Sequence, residues 1–194
     1  MENKIYKLLT ENKGYIQSSQ LNERAEKYLL KKMLDSGKLE KVKHGLYRDP
    51  QMASNDGWGE ICRIVPSGVL CLYSAWYFYG LTTFISSTVH VAIKNKQKVV
   101  LPDYPPIDLY YWTDKYHELG KVKAIHNEEP IVIYDLEKSV CDAVKFRNKV
   151  GMDMCSEILK NYIKRKDRNL DQLMKYAKIM RVSEIMSKYL IVML

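Results

Sequence analysis

The chain has 194 residues, of which 46% are hydrophobic and 28% charged, and its formal net charge is +8. No apolar run approaches the roughly 20 residues of a membrane span, and the first residues lack the apolar core of a signal peptide. We therefore expect a cytoplasmic protein that does not enter a membrane. The four cysteines have no CxxC spacing, and no phosphate-binding glycine loop occurs, so we expect no metal ion and no cofactor.

Positive charge is concentrated at the two ends of the chain. Residues 1–50 contain 11 Lys and Arg against 7 Asp and Glu, and residues 151–194 contain 9 against 5, whereas residues 51–150 contain 11 of each. Basic surfaces attract polyanions because binding releases the counterions condensed on the polymer. At the N-terminus the order of predicted elements, described next, favours a nucleic-acid partner. At the C-terminus two interpretations of the basic residues stay open, namely a binding surface and a solvated face without a partner.

The first 36 residues predict three helices separated by short connections. A helix with one apolar face is expected to end near Gly14. Ser18 or Ser19 can cap a short second helix by accepting a hydrogen bond from a free backbone N–H. A third helix is predicted over residues 25–36, with Ala25 on its buried face and Glu26 on its exposed face.

Residues 39–48 predict a β-hairpin directly after the third helix. Its turn is expected at Lys43-His44-Gly45, since Gly45 can adopt the positive φ that a tight hairpin needs. Helices followed by a ribbon with a basic turn are typical of a winged helix-turn-helix, which places a helix in the DNA major groove and its ribbon on the backbone. Residues 1–50 are thus predicted to bind duplex DNA. The residues expected to contact it are Lys27, Tyr28, Lys31, Lys32, Lys43, His44 and Arg48.

A polar, turn-rich stretch near residues 50–58 predicts a boundary before a second domain at residues 59–194. Because each side has its own apolar pattern, we expect the two parts to carry separable activities, although 50 residues is near the lower limit for a domain that folds alone. The second part predicts a buried helix over residues 70–79, strands at 89–93, 98–101, 107–112 and 131–134, and helices at 135–147, 154–164, 170–180 and 183–194. The expected fold class is α+β, with an N-terminal winged helix-turn-helix followed by a mixed α/β domain that has a helical C-terminal end.

Three sets of residues in the second part invite a catalytic or nucleic-acid-binding interpretation. Metal-dependent nucleases gather Asp, Glu and Lys side chains around Mg²⁺, and Asp135, Glu137 and Lys138 are residues of these types. However, Glu137 and Lys138 are adjacent, whereas two side chains on one face of a strand are separated by one residue. We favour Asp135 as the N-cap of a helix. His90 is expected to have a structural role on its strand. The aromatic residues that could stack nucleic-acid bases lie within an apolar helix, where core packing is favoured; they are Tyr73, Trp76, Tyr77 and Tyr79.

Three segments follow one another in a recognisable order: residues 43–47 (KHGLY), residues 73–82 (YSAWYFYGLT) and residues 134–142 (YDLEKSVCD), with Phe146-Arg147 behind the last. With the closing helices, they make the chain resemble the AbiEi family of bacterial abortive-infection antitoxins and related transcriptional regulators. The resemblance covers about residues 2–49 and 66–192. It implies a non-enzymatic protein whose winged helix binds inverted repeats in its own promoter. Its C-terminal domain would counter a nucleotidyltransferase toxin encoded beside it, without a stable complex, as in type IV toxin–antitoxin systems of phage defence.

The resemblance also implies a basic antitoxicity surface on the closing helices. The residues that could form it are Lys160, Lys164, Arg165, Lys166, Arg168, Lys175, Lys178 and Arg181. Two alternatives to this interpretation stay open. One is a nucleic-acid-processing enzyme that the winged helix targets to its substrate, and the other is a lone transcriptional repressor without a toxin partner.

Overall fold

The computed structural model describes residues 2–53 and 57–193, with side chains described from Lys4 onward. The protein is a mixed α+β structure, and the described ranges contain nine α-helices and two β-sheets. The predicted boundary at residues 50–58 lies partly outside these ranges, because residues 54–56 are not described. Within the described ranges, no helix is long and apolar enough to cross a membrane.

The first 48 residues form what we call the N-terminal unit. Its elements are α1 (Glu2–Glu11), β1 (Tyr15–Gln17), a 3₁₀ helix (Ser18–Gln20), α2 (Arg24–Asp35), β2 (Glu40–Lys43) and β3 (Leu46–Arg48). The strands form an antiparallel sheet in the order β1-β3-β2, and the hairpin turns at Gly45 with φ +80°, as predicted. A small apolar cluster holds the unit together; its buried members are Ile5, Leu9, Ile16, Leu21, Leu30, Met33 and Leu39.

Two details of the N-terminal unit differ from the prediction. The second helix is a single 3₁₀ turn, and neither Ser18 nor Ser19 caps an α-helix, since α2 begins only at Arg24. Ala25 is exposed and Glu26 is buried, which is the reverse of the predicted faces. The spacing i, i+4, i+7 explains this outcome, because it places Glu26 on the same face as the buried residues Leu30 and Met33.

Residues 57–193 form the C-terminal unit. Its elements are α3 (Gly57–Ile64), β4 (Val69–Leu70), α4 (Leu72–Phe78), β5 (Val89–Lys94), β6 (Ile107–Trp112), α5 (Asp114–Glu118), β7 (Lys121–His126), β8 (Glu129–Tyr134), α6 (Leu136–Val150), α7 (Met152–Ile163), α8 (Leu170–Ile179) and α9 (Ser183–Met193). The five strands lie in the order β6-β5-β4-β8-β7. The β5–β6 and β4–β8 pairs are parallel, and the β4–β5 and β7–β8 pairs are antiparallel.

The two faces of this sheet belong to different hydrophobic clusters. Along β8, Ile131 and Ile133 point into one cluster while Val132 and Tyr134 point into the other, as the two-residue period of a strand requires. The helices α4 and α6 to α9 contribute to the Tyr134 side, and α3 contributes to the Ile133 side. Both faces of the central strands are therefore buried.

The strand predictions were partly wrong. Residues 98–101 form no strand, and Val100 is 79% exposed. Three of the next five residues are prolines, at 102, 105 and 106, and proline has no N–H with which to extend a sheet. Two strands were missed. Leu70 belongs to β4 and not to the predicted helix over residues 70–79, which begins only at Leu72. The other missed strand, β7, is a charged edge strand joined to β8 by Asn127 and Glu128, which both take positive φ.

The closing helices confirm the sequence prediction closely. Asp135 caps α6 by accepting a hydrogen bond from the Lys138 backbone N–H at 2.8 Å. Helix α4 ends just before Gly80, which has φ +63°. The bounds of α7, α8 and α9 agree with the predicted ones to within two residues.

The two units share a buried interface, which we call the seam. Tyr15 and Leu46 of the N-terminal unit are each 2% exposed and belong to the same cluster as Ile61, Ile64 and Ile133 of the C-terminal unit. The N-terminal unit therefore has an apolar cluster of its own and shares a second one with the C-terminal unit. The apolar side chains at the start of β1 and β3 pack across the seam as well as within their own sheet.

Polar contacts reinforce the seam around Glu60, which is buried on α3. The Tyr15 hydroxyl donates to Glu60 Oε2 at 3.0 Å, and Arg48 Nη1 lies 3.1 Å from the same oxygen. Arg63 stacks over the Tyr15 ring at 4.3 Å and reaches Glu129 Oε2 at 2.9 Å. These contacts connect β1 and β3 to α3 and, through Glu129, to β8.

Candidate nucleic-acid interface

Helix α2 presents a basic, solvent-exposed face. Lys27, Lys31 and Lys32 are exposed, and Tyr28 between them is 72% exposed, while Leu30 on the opposite side is buried. Within the part of the chain that the structure describes, none of these three lysines forms an ion pair. Their charges are therefore available to an external anion, and the structure brings all four side chains together on one helix.

A buried carboxylate fixes the orientation of this helix. Glu26 accepts a hydrogen bond from Lys4 Nζ of α1 at 2.6 Å and from the backbone N–H groups of Asn22 and Glu23 at 3.0 and 3.2 Å. The Lys4 ammonium and the backbone donors lower the pKa of Glu26. The carboxylate thus joins α1 to the start of α2, and the basic face of α2 is held away from α1.

The structure adds one residue that the sequence reasoning missed. Arg24, the first residue of α2, is exposed and lies three and four residues before Lys27 and Tyr28 on the same face. In DNA-binding helices, the N-terminal residues are often the ones that reach base edges. The helical spacing alone could have identified Arg24, had the start of the helix been placed correctly.

The hairpin side chains are arranged differently from the prediction. His44 is exposed at the turn. Lys43 instead donates to the Ile64 backbone oxygen at 2.6 Å, and burial lowers the pKa of its ammonium. Arg48 pairs with Glu40 at 2.9 Å and with Glu60 at 3.1 Å. Lys43 and Arg48, which were predicted to contact DNA, therefore form contacts within the chain that attach the hairpin to α3.

The basic residues of the closing helices are exposed, with one exception. Arg165 donates to the Tyr79 backbone oxygen at 2.5 Å and forms a bidentate pair with Asp167. Arg168 is exposed and donates to the Arg165 backbone oxygen at 2.6 Å. The remaining exposed members are Lys160, Lys164, Lys166, Lys175, Lys178 and Arg181. They lie in two groups, one from the end of α7 into the following loop and one along α8 to its end, and both helices pack on α6.

The residues of the nuclease interpretation are engaged in structural contacts. Lys138 is fully buried, with its ammonium 4.0 and 4.2 Å from the ring centroids of Trp112 and Tyr134, and it donates to both Asp142 oxygens at 2.7 and 2.9 Å. Glu137 accepts hydrogen bonds from the Tyr162 hydroxyl and the Asn169 N–H. Across the described ranges, no three His, Cys, Asp or Glu side chains gather as a metal site would require.

His90 takes part in a buried hydrogen-bond chain. Its Nε2 lies 3.0 Å from Ser86 Oγ, its Nδ1 lies 2.8 Å from the Tyr110 hydroxyl, and its backbone N–H donates to Ser74 Oγ. Burial lowers the pKa of the imidazole. These bonds fasten α4 and the loop before β5 to the strands β5 and β6, which agrees with the structural role predicted for His90.

No model of a known protein family and no curated protein matches this chain significantly.

Proposed function

We propose that this chain is a transcriptional regulator whose N-terminal unit is a winged helix-turn-helix that binds duplex DNA. The observation that carries the proposal is the exposed face of α2, where three lysines that form no ion pair with any described residue flank an exposed tyrosine. Such a face suits the DNA major groove, where phosphates line both edges and the base edges lie between them.

In this proposal each side chain has a distinct task. Lys27, Lys31 and Lys32 contact phosphates, and their contribution does not depend on sequence. Arg24 and Tyr28 reach the bases, Arg24 by hydrogen bonds to guanine and Tyr28 by apolar contact with thymine methyl groups. The hairpin turn at His44 approaches the neighbouring backbone, while Lys43 and Arg48 hold the hairpin against α3.

The resemblance to the AbiEi family extends the proposal to the C-terminal unit. We propose that the protein represses its own promoter and serves as the antitoxin of a type IV pair, acting against a nucleotidyltransferase toxin without a stable complex. The exposed lysines at the end of α7 and along α8 support this role, because they leave a basic surface open to a polyanion or an acidic partner. Arg165 is reassigned to a structural role by its bonds to Tyr79 and Asp167.

The test is a salt titration of DNA binding. A labelled duplex from the region upstream of the protein's own coding sequence is titrated with the wild type, with Lys31→Ala and with Lys188→Ala, and anisotropy is recorded at several salt concentrations. Lys188 is a matched control, since it is also an exposed helical lysine but lies on α9. Losing one phosphate contact should reduce the slope of log K against log salt by about 0.9.

Tyr28→Ala provides a second variant, which should lose discrimination between the upstream duplex and a scrambled one without a change in thermal stability. The proposal fails if Lys31→Ala and Lys188→Ala behave alike, or if the protein does not bind duplex DNA. Divalent-metal-dependent cleavage of nucleic acid by the purified protein would instead support the nucleic-acid-processing enzyme.

A further inference from the structure

An open pocket of about 510 Å³ lies at the seam between the two units. Its accessible aliphatic surface comes from Pro66, which follows α3, and from Val99 and Val100 of the loop after β5, while Ile64 and Val65 lie buried beneath. The side chain of Gln97 donates to Ser67 Oγ and joins that loop to the turn after α3. Ligand pockets are typically about 300–1,000 Å³, mainly apolar, and frequent at domain interfaces, so the seam pocket has the size and place of a small-molecule site.

The two charged side chains that line this pocket, Lys43 and Lys98, are both cationic. The hairpin turn contributes Lys43 and His44, the loop after β5 contributes Lys98, and none of the ten described residues that line the pocket is acidic. The Lys43 ammonium uses one of its three donors on the Ile64 oxygen. Lys98 is exposed and forms no ion pair within the described part of the chain. Cationic groups therefore stand on two sides of an aliphatic floor.

From this arrangement we infer that the seam pocket binds a small organic anion with an apolar body, such as an amphiphilic carboxylate or sulfonate. The apolar body lies on Pro66, Val99 and Val100, and the acidic group lies between Lys43 and Lys98. A neutral ligand of the same shape gains only the apolar contacts. An anion with no apolar body gains only the polar contacts with the two lysines, and these replace equivalent contacts with water.

The site has a consequence for DNA binding that rests on the proposed function. Lys43 belongs to the hairpin and holds it to the end of α3 through the Ile64 oxygen. An anion that draws the Lys43 ammonium into the pocket shifts the hairpin relative to α2. The ligand and the DNA then influence each other's affinity by the same factor, as linkage requires.

The experiment uses the full chain and two fluorescent probes with the same ring skeleton. These are 8-anilinonaphthalene-1-sulfonate, which is anionic, and N-phenyl-1-naphthylamine, which lacks the sulfonate. The wild type should bind the anion more tightly, and Lys98→Glu should weaken that binding about fivefold to tenfold while leaving the neutral probe within about twofold. Lys96→Glu is the matched control, because it reverses a charge on the same loop outside the pocket lining. Circular dichroism confirms that each variant is folded.

Equal affinity for both probes, or equal effects of Lys98→Glu and Lys96→Glu on the anionic probe, would overturn the site. A second arm measures duplex binding with and without the anionic probe at saturation. The coupling is supported if the anionic probe changes the affinity of the wild type for the duplex and if this change is smaller in Lys98→Glu. It is overturned if the probe leaves the affinity of the wild type for the duplex unchanged. The probe titration contains no DNA, so the pocket can stand even if the proposed DNA binding fails.

Discussion

A fragment that ends at residue 50 should not fold by itself, because the seam supplies part of its core. Tyr15 and Leu46 are each 2% exposed in the full chain, and both lose their cover when α3 and the large sheet are removed. Burying a side chain of this size contributes about 1.5–3 kcal/mol, so the two together contribute about 3–6 kcal/mol. A 50-residue domain has a total stability of only about 3–8 kcal/mol. The loss is therefore comparable to the whole stability of the unit.

Circular dichroism and a proton–nitrogen correlation spectrum of residues 1–50 are the direct assays. We expect low helix content, poor amide dispersion and no cooperative thermal transition. In the full chain, Leu46→Ala at the seam and Leu21→Ala inside the N-terminal cluster form a matched pair, and each should cost about 2–5 kcal/mol in one shared unfolding transition. A cooperatively folded fragment, or two separate transitions of which Leu21→Ala moves only the first, would refute the shared core.

Three further outcomes are expected. Lys138→Met should destabilise the protein by about 3–5 kcal/mol in chemical denaturation, since it leaves the Asp142 carboxylate buried without its partner, and adding Asp142→Leu should recover most of the loss. Because its folded-state pKa is lowered, Glu26 should stabilise the fold above its unfolded pKa of about 4.3, and this stability should vanish as the pH falls through the folded value. Unfolding curves of Glu26→Gln should therefore show a weaker acid dependence than those of the wild type. Under the proposed antitoxin function, reversing Lys164 and Lys166 to Glu should abolish growth rescue on co-expression with the neighbouring open reading frame while promoter binding persists, whereas Lys188→Glu should rescue normally.

Sequence patterns predicted a structural feature correctly wherever the group that stabilises it lies close in the sequence. Asp135 caps α6 through the N–H group three residues later, and the hairpin turn depends on the φ of Gly45 itself. The closing helices have apolar faces that recur at helical spacing, so their bounds were also predictable. The same periodicity predicted the exposed face of α2. Four predicted DNA contacts are exposed there as expected: Lys27, Tyr28, Lys31 and Lys32.

Features that depend on distant partners were missed. Glu26 is a typical surface residue by type, and its burial is favourable because Lys4, 22 residues away, joins the backbone N–H groups of Asn22 and Glu23 in donating to it. Arg48 is of a residue type that often contacts DNA, but its guanidinium forms an ion pair with Glu60 on α3. Tyr15 gives no sign in the sequence of the cluster that it joins across the seam. A charge pattern indicates which residues are basic, and the tertiary structure decides which of those charges stay unpaired.

The docked hairpin bears on how the two roles proposed for this chain could be connected. Lys43 and Arg48 attach the hairpin to the Ile64 oxygen and to Glu60, and α3, which carries both partners, packs on β8. A shift of the hairpin on DNA must therefore break these bonds or move α3 as well. Conversely, any event in the C-terminal unit that displaces α3 changes the hairpin that lies beside α2. Promoter affinity could then respond to the C-terminal unit through the seam alone, and no stable complex with the toxin would be needed.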